Sequence, residues 1–221
     1  MADVTISALY DLSHSRAAAY LASYEYPWEA LAGIGDLILA IGATLPADEF
    51  NHPAENVWIA KDATVYPSAL VKGPCIIDHG TEVRHCAFIR GNALVGQNCV
   101  VGNSTELKNV ILFDNVQVPH FNYVGDSILG YKSHMGAGSV TSNVKSDKQL
   151  VVINNQGDKI ETGRKKVGAM LGDFVEVGCN SVLNPGSVLC RRASVYPTSC
   201  VRGVVPEDHI YKRAELIVKR R

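Results

Sequence analysis

A central stretch of the chain concentrates side chains whose types could do chemistry. His120 and Tyr123 belong to a short motif, HFNYVGDS, and His134 opens a glycine-rich one, HMGAGSVTSN. A neutral imidazole titrates near pH 6.5 and can therefore accept a proton from a nucleophile at neutral pH. Upstream of both motifs stand two cations, Arg90 and Lys108. Paired cations are suited to binding phosphate, so the stretch could support proton transfer beside an anion if the fold brings these residues together.

A six-residue repeat predicts the elements that position them. An aliphatic residue recurs every six positions, and a small residue follows it four positions later. The aliphatic series are Ile59, Val65, Val71, Ile77, Val83, Ile89, Val95, Val101 and Leu107, continued by Phe113, and then Leu171, Val177, Leu183, Leu189, Val195 and Val201. A helix would need a period of about 3.6 and an ordinary strand a period of 2. A period of six predicts a triangular β-solenoid whose coil takes three hexads. Arg90 and Lys108 are separated by three hexads and are then expected to stack on one face, about 4.8 Å apart.

Two regions interrupt the repeat, and local irregularity in a regular fold is where function is expected. Steps of five residues separate Phe113 from Val118 and Val124 from Leu129. A polar insertion over about 145–166 places Asn-Asn-Gln-Gly between two apolar runs. That pattern predicts a projecting β-hairpin.

The repeat divides the chain into a solenoid and two flanking segments. Residues 1–57 lack the repeat and predict helices over about 13–23 and 27–41, which are expected to cap the N-terminal mouth of the solenoid. Residues 58–206 are the predicted solenoid. Residues 207–221 are predicted to form a basic tail or a short helix. The tail is either solvated or screens a polyanionic cofactor such as coenzyme A.

Composition excludes several classes of partner. The chain of 221 residues carries a formal net charge of −1, which gives no whole-protein footprint for nucleic acid or anionic membrane. The longest apolar stretch, from Leu31 to Leu45, is interrupted by Asp36 and is shorter than the roughly 20 residues that span a bilayer. The N-terminal Met-Ala-Asp has no basic region typical of a secretory signal. We therefore expect a cytoplasmic protein, with Cys75 and Cys99 at small core positions.

The two central motifs, with the GAG turn and the asparagine that follows it, resemble a known enzyme family. They are similar to the acetyltransferase domain of bifunctional N-acetylglucosamine-1-phosphate uridyltransferase/glucosamine-1-phosphate acetyltransferases. They also resemble the C-terminal domain of archaeal sugar-1-phosphate nucleotidylyltransferases, and this second resemblance continues through TGRKKVGA to Asn184-Pro-Gly. The resemblance implies a left-handed parallel β-helix, a homotrimer, and acetyl-CoA bound between neighbouring subunits.

The resemblance also implies roles for individual residues. The catalytic base falls on His120, since an amine that attacks a thioester must lose a proton. Coenzyme A contacts fall on Ala137 and Cys179, and backbone N–H groups over 136–138 are candidates for the thioester oxyanion. Substrate-binding positions fall on Arg90, Lys108, Tyr123, His134 and Asn143.

The sequence departs from the family pattern at three places. His134 replaces an asparagine, Val144 replaces a tyrosine, and Gln149 replaces a lysine that Lys148 approaches within one position. These changes leave the acceptor sugar open.

The resulting expectation is an acyltransferase that uses acetyl-CoA, and no bound metal, to N-acetylate an amino sugar phosphate or a nucleotide-linked amino sugar. Nucleotidylyltransferase activity is not expected, because residues 1–57, which precede the solenoid, contain no glycine-rich phosphate loop. One alternative is a non-catalytic sugar-nucleotide-binding or scaffold subunit. Another is a γ-carbonic-anhydrase-like zinc enzyme using His79, His85, His120 and His134. Zinc is disfavoured because His79 and His85, one hexad apart, belong to different faces of one coil.

Overall fold

The chain forms a parallel β-helix with three strands per coil, described by a computed structural model for residues 1–213 and 216–219. In the early coils, equivalent residues pair at intervals of three hexads, as in Cys75 with Ala93 and Glu82 with Val100. The predicted hexapeptide solenoid is confirmed. Ala214, Glu215, Arg220 and Arg221 lie outside the described residues, and with them part of the predicted basic tail. No helix among the described residues is long and apolar enough to cross a membrane.

The three faces of the solenoid each consist of a ladder of short strands. The first face is called the covered face because the N-terminal segment packs on it. It contains Val57–Ala60, Cys75–Ile77, Ala93–Val95, Ala169–Leu171, Ser187–Leu189 and Val204–Val205. The second face contains Thr64–Val65, Glu82–Val83, Val100–Asn103, Gln117–His120, His134–Met135, Glu176–Val177, Ser194–Val195 and His209–Arg213. The third face contains Leu70–Val71, Phe88–Ile89, Val140–Thr141, Val182–Leu183 and Cys200–Val201. Two longer strands, Glu106–Leu112 and Tyr123–Leu129, run through the third face into the covered face.

Residue type explains both the core and the corners. The aliphatic residue of each hexad points inward, and side chains such as Val83, Val101 and Leu107 are fully buried. Many corners place asparagine in the left-handed backbone region, as at Asn98 with φ 52° and Asn180 with φ 55°. Asparagine tolerates this region better than most residues, so it can end a strand and turn the chain within one residue.

Cys75 and Cys99 are buried in the core, as expected. Burial raises the pKa of the Cys75 thiol to about 12, so this thiol stays protonated.

Two consecutive coils in the middle of the solenoid are each one residue shorter than the coils before them. Leu112 pairs with Val95 and Leu129 pairs with Leu112, so each of these intervals is one position short of three hexads. The first short step therefore runs from Leu107 to Leu112, and the assignment of Phe113 to the aliphatic series was wrong. The missing residue shortens the corner, which still turns through a left-handed residue at Asn109 or Asp126. The strands Glu106–Leu112 and Tyr123–Leu129 therefore continue from one face into the next.

Residues 1–49 pack along the covered face. They contain the helices α1 (Ile6–Leu9), α2 (Ala18–Leu21) and α3 (Ile34–Gly42), with 3₁₀ helices at Leu12–His14 and Pro27–Gly33. The helix predicted over 13–23 is shortened to α2, whereas the one predicted over 27–41 is a 3₁₀ helix that runs directly into α3. The segment packs beside the coils, although the sequence predicted that it closes the solenoid mouth. The chain then enters the first coil through Phe50–Ala54, which pairs antiparallel with Val57–Ala60.

Outward-facing apolar side chains explain this placement. On the covered face, the middle residue of each strand points away from the solenoid interior and is nevertheless buried. These residues are Ile76, Leu94, Ile111, Ile128, Met170 and Val188. The helix α3 packs on Ala93–Val95 and Glu106–Leu112, and the 3₁₀ helix Pro27–Gly33 packs on Tyr123–Leu129. The apolar stripe is buried because the N-terminal segment covers it.

The insertion forms an antiparallel hairpin of Val152–Asn155 and Asp158–Glu161. The hairpin packs back against the molecule, since Val151, Ile153 and Asn155 are fully buried and Asn155 bonds with the backbone of Ala2. At the C-terminus, His209–Arg213 and Leu216–Lys219 pair antiparallel. The alternative of a short helix there was wrong.

Candidate functional site

His120 lies at the corner between the second and third faces, in a column with the predicted coenzyme A contacts. The backbone N–H of Gly138 donates to the carbonyl oxygen of His120 at 3.0 Å, and the N–H of Asn180 donates to that of Ala137 at 2.8 Å. His120, Ala137 and Cys179 therefore occupy the same corner in three successive coils. The structure brings these three predicted residues together.

The corner is held by a buried asparagine that the sequence analysis did not single out. Asn122 accepts a hydrogen bond from the His120 N–H at 3.1 Å and donates to the carbonyl oxygens of Gly136 and Ser139 at 2.9 and 3.0 Å. His120 itself is exposed, and its imidazole forms no hydrogen bond with any of the residues that the structure describes. The backbone is thus fixed while the ring nitrogens remain free to meet a ligand.

The candidate oxyanion donors are partly used by the fold. The N–H of Gly136 donates to Val177 at 2.7 Å, and that of Gly138 donates to His120. Of the three N–H groups over 136–138, that of Ala137 has no acceptor among the described residues. Two of the three candidate donors are therefore engaged by the fold, and the Ala137 N–H is the candidate that remains among the described residues.

The third face carries a column of cations. The N–H of Lys72 donates to Ile89, and the N–H of Arg90 donates to Leu107, each at 2.9 Å. These bonds place Lys72, Arg90 and Lys108 on neighbouring strands, at the spacing of about 4.8 Å typical of a sheet. Arg90 and Lys108 therefore share one face.

Each of these two predicted cations already has a carboxylate partner. Arg90 pairs with Glu106 at 2.7 Å, and Lys108 pairs with Asp126 at 2.9 and 3.1 Å. The hydrogen bond that Arg90 donates to Glu106 raises the pKa of Arg90. A phosphate that binds Arg90 must therefore compete with Glu106.

Asp126 is the centre of the polar network. Its side chain is only 6% exposed and accepts hydrogen bonds from Lys108, from Asn109 at 3.0 Å, and from Asn143. Asn143 also donates to the Tyr123 hydroxyl at 3.3 Å. Burial, and then the charge of Asp126, raises the pKa of Tyr123, which keeps the phenol neutral. The predicted residues Lys108, Tyr123 and Asn143 thus meet around one carboxylate.

Glu106 and Asp126 were not predicted from the sequence, although the sequence contains a signal for one of them. Asp126 follows Lys108 by three hexads, which is one regular coil, and it belongs to the motif that begins at His120. Opposite charges one coil apart are expected to pair across adjacent strands. Glu106 has no comparable sequence signal.

His134 lies apart from the other predicted substrate residues. It is on the second face, where its Nδ1 atom lies 2.8 Å from an oxygen of Glu176. Tyr123 and Asn143 belong to the third face and its short corner. The structure therefore does not bring His134 into the Asp126 network.

Three of the four histidines considered for zinc, all except His120, have separate side-chain partners. His79 bonds with Asp62 and His85 with Ser68, each at 2.9 Å. Within residues 1–213 and 216–219 no three His, Cys, Asp or Glu side chains are grouped so as to hold a metal ion.

Comparison with known proteins finds similar curated proteins and similar solved structures. A curated "Bifunctional protein GlmU" of Methanococcus maripaludis is 32% identical over 200 residues, covering 89% of this chain and 48% of the relative. A "Bifunctional sugar-1-phosphate nucleotidylyltransferase/acetyltransferase" of Sulfurisphaera tokodaii is 30% identical over 160 residues, covering 64% of this chain and 40% of the relative. A solved hexapeptide transferase family protein of Anaplasma phagocytophilum aligns with a TM-score of 0.42 at 13% identity, covering 75% and 79% of the two chains.

The matches confirm the resemblance to bifunctional sugar-phosphate enzymes, of which this chain spans less than half the length. The family model described as the GMPPB C-terminal domain matches residues 71–209, which is more than half of the chain. That range contains the His120 corner, the cation column and the Asp126 network. The chain belongs to the GMPPB C-terminal domain family.

Proposed function

We propose that this chain transfers an acetyl group from acetyl-CoA to the amine of an amino sugar phosphate or nucleotide-linked amino sugar. The observation that carries the proposal is the placement of His120. It shares a corner with Ala137 and Cys179, and the face that begins beyond this corner carries Tyr123 and the cation column. A base between a donor site and an anion site is the arrangement that this transfer needs.

The residues divide the reaction between them. The amine attacks the thioester carbonyl carbon, His120 accepts the proton that the amine loses, and a new C–N bond replaces the C–S bond. Coenzyme A leaves as a thiolate that takes up a proton to give the thiol. The N–H of Ala137 is free to donate to the developing oxyanion. Arg90 and Lys108 bind the phosphate, while Tyr123 and Asn143 hold the sugar.

The donor site is proposed to be completed by a second copy of the chain in a homotrimer. The corner of His120 is a convex edge, and the adjacent Phe121 side chain is 60% exposed. A convex edge offers acetyl-CoA little enclosure, whereas a neighbouring subunit at this corner would supply a wall. Sedimentation equilibrium of the purified chain measures whether its mass is three times 23.9 kDa.

The proposal is tested by following thiol release from acetyl-CoA with a panel of amino sugar phosphates, led by glucosamine-1-phosphate and galactosamine-1-phosphate, and of nucleotide-linked amino sugars. We expect turnover that falls about 10²- to 10⁴-fold in His120→Ala, the usual contribution of a general base. His52→Ala, which removes an exposed histidine stacked on Trp58, is the matched control and should retain activity. Absence of both turnover and acetyl-CoA binding would contradict the proposal and favour the scaffold interpretation.

A further inference from the structure

A cleft beside Lys108 contains cations that the transfer described above does not use. It has a volume of about 460 Å³ and lies where three segments meet. Leu31 of the N-terminal segment forms one side, residues 163–166 at the end of the insertion form the second, and the short corner with Lys108 and Asp126 forms the third. It therefore opens at the far end of the third face from His120.

The cleft is strongly basic. Arg164, Lys165 and Lys166 line it together with Lys108, and Asp126 is the one carboxylate among the described residues of the lining. Asp126 is already occupied by Lys108 and two asparagine side chains. Among the residues that the structure describes, no carboxylate lies within ion-pair distance of Arg164, Lys165 or Lys166. Three uncompensated cations around one cavity favour an anionic ligand.

The backbone that carries these cations is fixed before any ligand binds. The Arg164 carbonyl accepts a hydrogen bond from the Val151 N–H at 2.8 Å, and Lys166 forms a β-bridge with Val144. The Arg164 guanidinium donates to the carbonyl oxygen of Glu29 at 2.8 Å, which ties the segment to the N-terminal region. Such fixation lowers the entropy cost of binding.

The cleft continues the line of the candidate site. Tyr123 and Asp126 are three residues apart on one extended strand, which corresponds to about 10 Å at about 3.3 Å per residue. A sugar held at Tyr123 with its phosphate at Arg90 and Lys108 therefore ends where the cleft begins. A ligand with one phosphate leaves the cleft empty, whereas a second phosphate extends into it.

We propose that this cleft binds the second phosphate of the acceptor, so that the preferred acceptor is a nucleoside-diphosphate-linked amino sugar and not a sugar monophosphate. The inference rests on the proposed function for the reaction, but diphosphate binding itself does not require turnover. Arg164, Lys165 and Lys166 are the residues that make this distinction. The phosphates of acetyl-CoA are a second source of the same chemistry, but the predicted coenzyme A residues Ala137 and Cys179 lie at the opposite edge of the third face.

Calorimetric titration of the full chain without acetyl-CoA tests the inference. The probes are UDP and GDP, each compared with UMP and GMP, and coenzyme A is titrated separately. We expect at least one diphosphate to bind about tenfold tighter than its monophosphate. In Lys165→Gln/Lys166→Gln that preference should fall about tenfold, which is about 1.4 kcal/mol. The matched control, Lys61→Gln/Lys159→Gln, removes two exposed lysines outside the cleft and should keep the preference.

Two results would overturn the inference. One is equal affinity for the diphosphates and monophosphates in the unaltered chain. The other is weaker coenzyme A binding in the cleft variant with unchanged diphosphate binding, which would assign the cations to the donor. Diphosphate preference in a chain that transfers no acetyl group would refute the proposed function while supporting the cleft. Acetyl transfer by a chain that shows no diphosphate preference would support the proposed function and refute the role of the cleft.

Discussion

At the scale of single residues, the candidate site consists of charges that compensate one another. Arg90 is paired with Glu106, and Lys108 with Asp126. The arrangement keeps the cations in place on an exposed face, where isolated side chains would sample many rotamers. The family resemblance pointed to Lys108 and Tyr123 but not to their common neighbour Asp126, because a resemblance transfers only the positions already known in the family.

Asp126→Asn tests this network at the residue that connects it. An asparagine presents an NH₂ group toward a pocket whose partners, Lys108, Asn109 and Asn143, are all donors, so at least one of these bonds is lost. We expect kcat/KM for the acceptor to fall about 10- to 100-fold, the size of a lost hydrogen bond to a charged group. The KM for acetyl-CoA should not change. Steady-state kinetics with each substrate varied measure both values.

The control for this variant is Asp147→Asn, which removes a carboxylate paired with Lys145 at 3.1 Å within the insertion. It should leave both KM values as they are. An equal loss in the two variants, or a loss confined to acetyl-CoA, would show that Asp126 does not position the acceptor residues.

At the scale of the elements, the period of six was enough to predict the solenoid and its coils of three hexads. The exact place of the short step was not predictable, because Leu112 and Phe113 are both apolar and either could continue the series. Backbone pairing of Leu112 with Val95 decides between them. The sequence nevertheless contained a pattern that was not used. Outward positions of the covered face, such as Ile76 and Leu94 one coil apart, are apolar, which indicates that another segment covers this face.

We expect two outward-facing aliphatic residues to contribute differently to the free energy of unfolding, because the N-terminal segment covers only one of them. Ile111 is fully buried beneath the N-terminal segment, whereas Leu70, on the third face, is 52% exposed. Ile111→Ala should lower the free energy of unfolding by about 2 to 5 kcal/mol, because it leaves a cavity in a packed layer. Leu70→Ala should lower it by about 0.5 kcal/mol or less. Urea unfolding followed by circular dichroism measures both, and equal costs would mean that the segment does not cover Ile111.

At the scale of the whole molecule, the N-terminal segment connects coils that are far apart along the solenoid. Arg16 forms an ion pair with buried Asp78 in an early coil, and the N–H of Asp11 donates to Asp173, in a late coil, at 2.7 Å. In a repeat protein each coil contacts only its neighbours, so such ties add long-range cooperativity. The helical character of residues 1–49 was predictable from their sequence, but their position was not, because it depends on which solenoid face is left apolar.

The ionisation of Asp173, which accepts a hydrogen bond from the Asp11 N–H, is expected to make the free energy of unfolding depend on pH. Its side chain is 2% exposed and accepts hydrogen bonds from the Asp11 and Tyr131 N–H groups, with Arg191 at 3.1 Å. Burial nevertheless raises the pKa of Asp173 above its usual 3.8, which means that the folded state holds the proton more tightly than the unfolded chain. The contribution of this ionisation to stability is therefore greatest below pH 3.8 and is lost as pH rises through the raised pKa.

Asp173→Asn isolates that contribution, since asparagine does not titrate. We expect the stability advantage of the unaltered chain over this variant to shrink as the pH rises from 3.8 through the raised pKa of Asp173. Urea titrations at several pH values in this range measure the difference, and the exposed Asp48→Asn serves as the control for loss of one negative charge. An advantage that grows with pH would instead mean that the attraction of Arg191 outweighs burial. The N-terminal segment would then be held by a charge pair whose strength increases toward neutral pH, and high salt should weaken it.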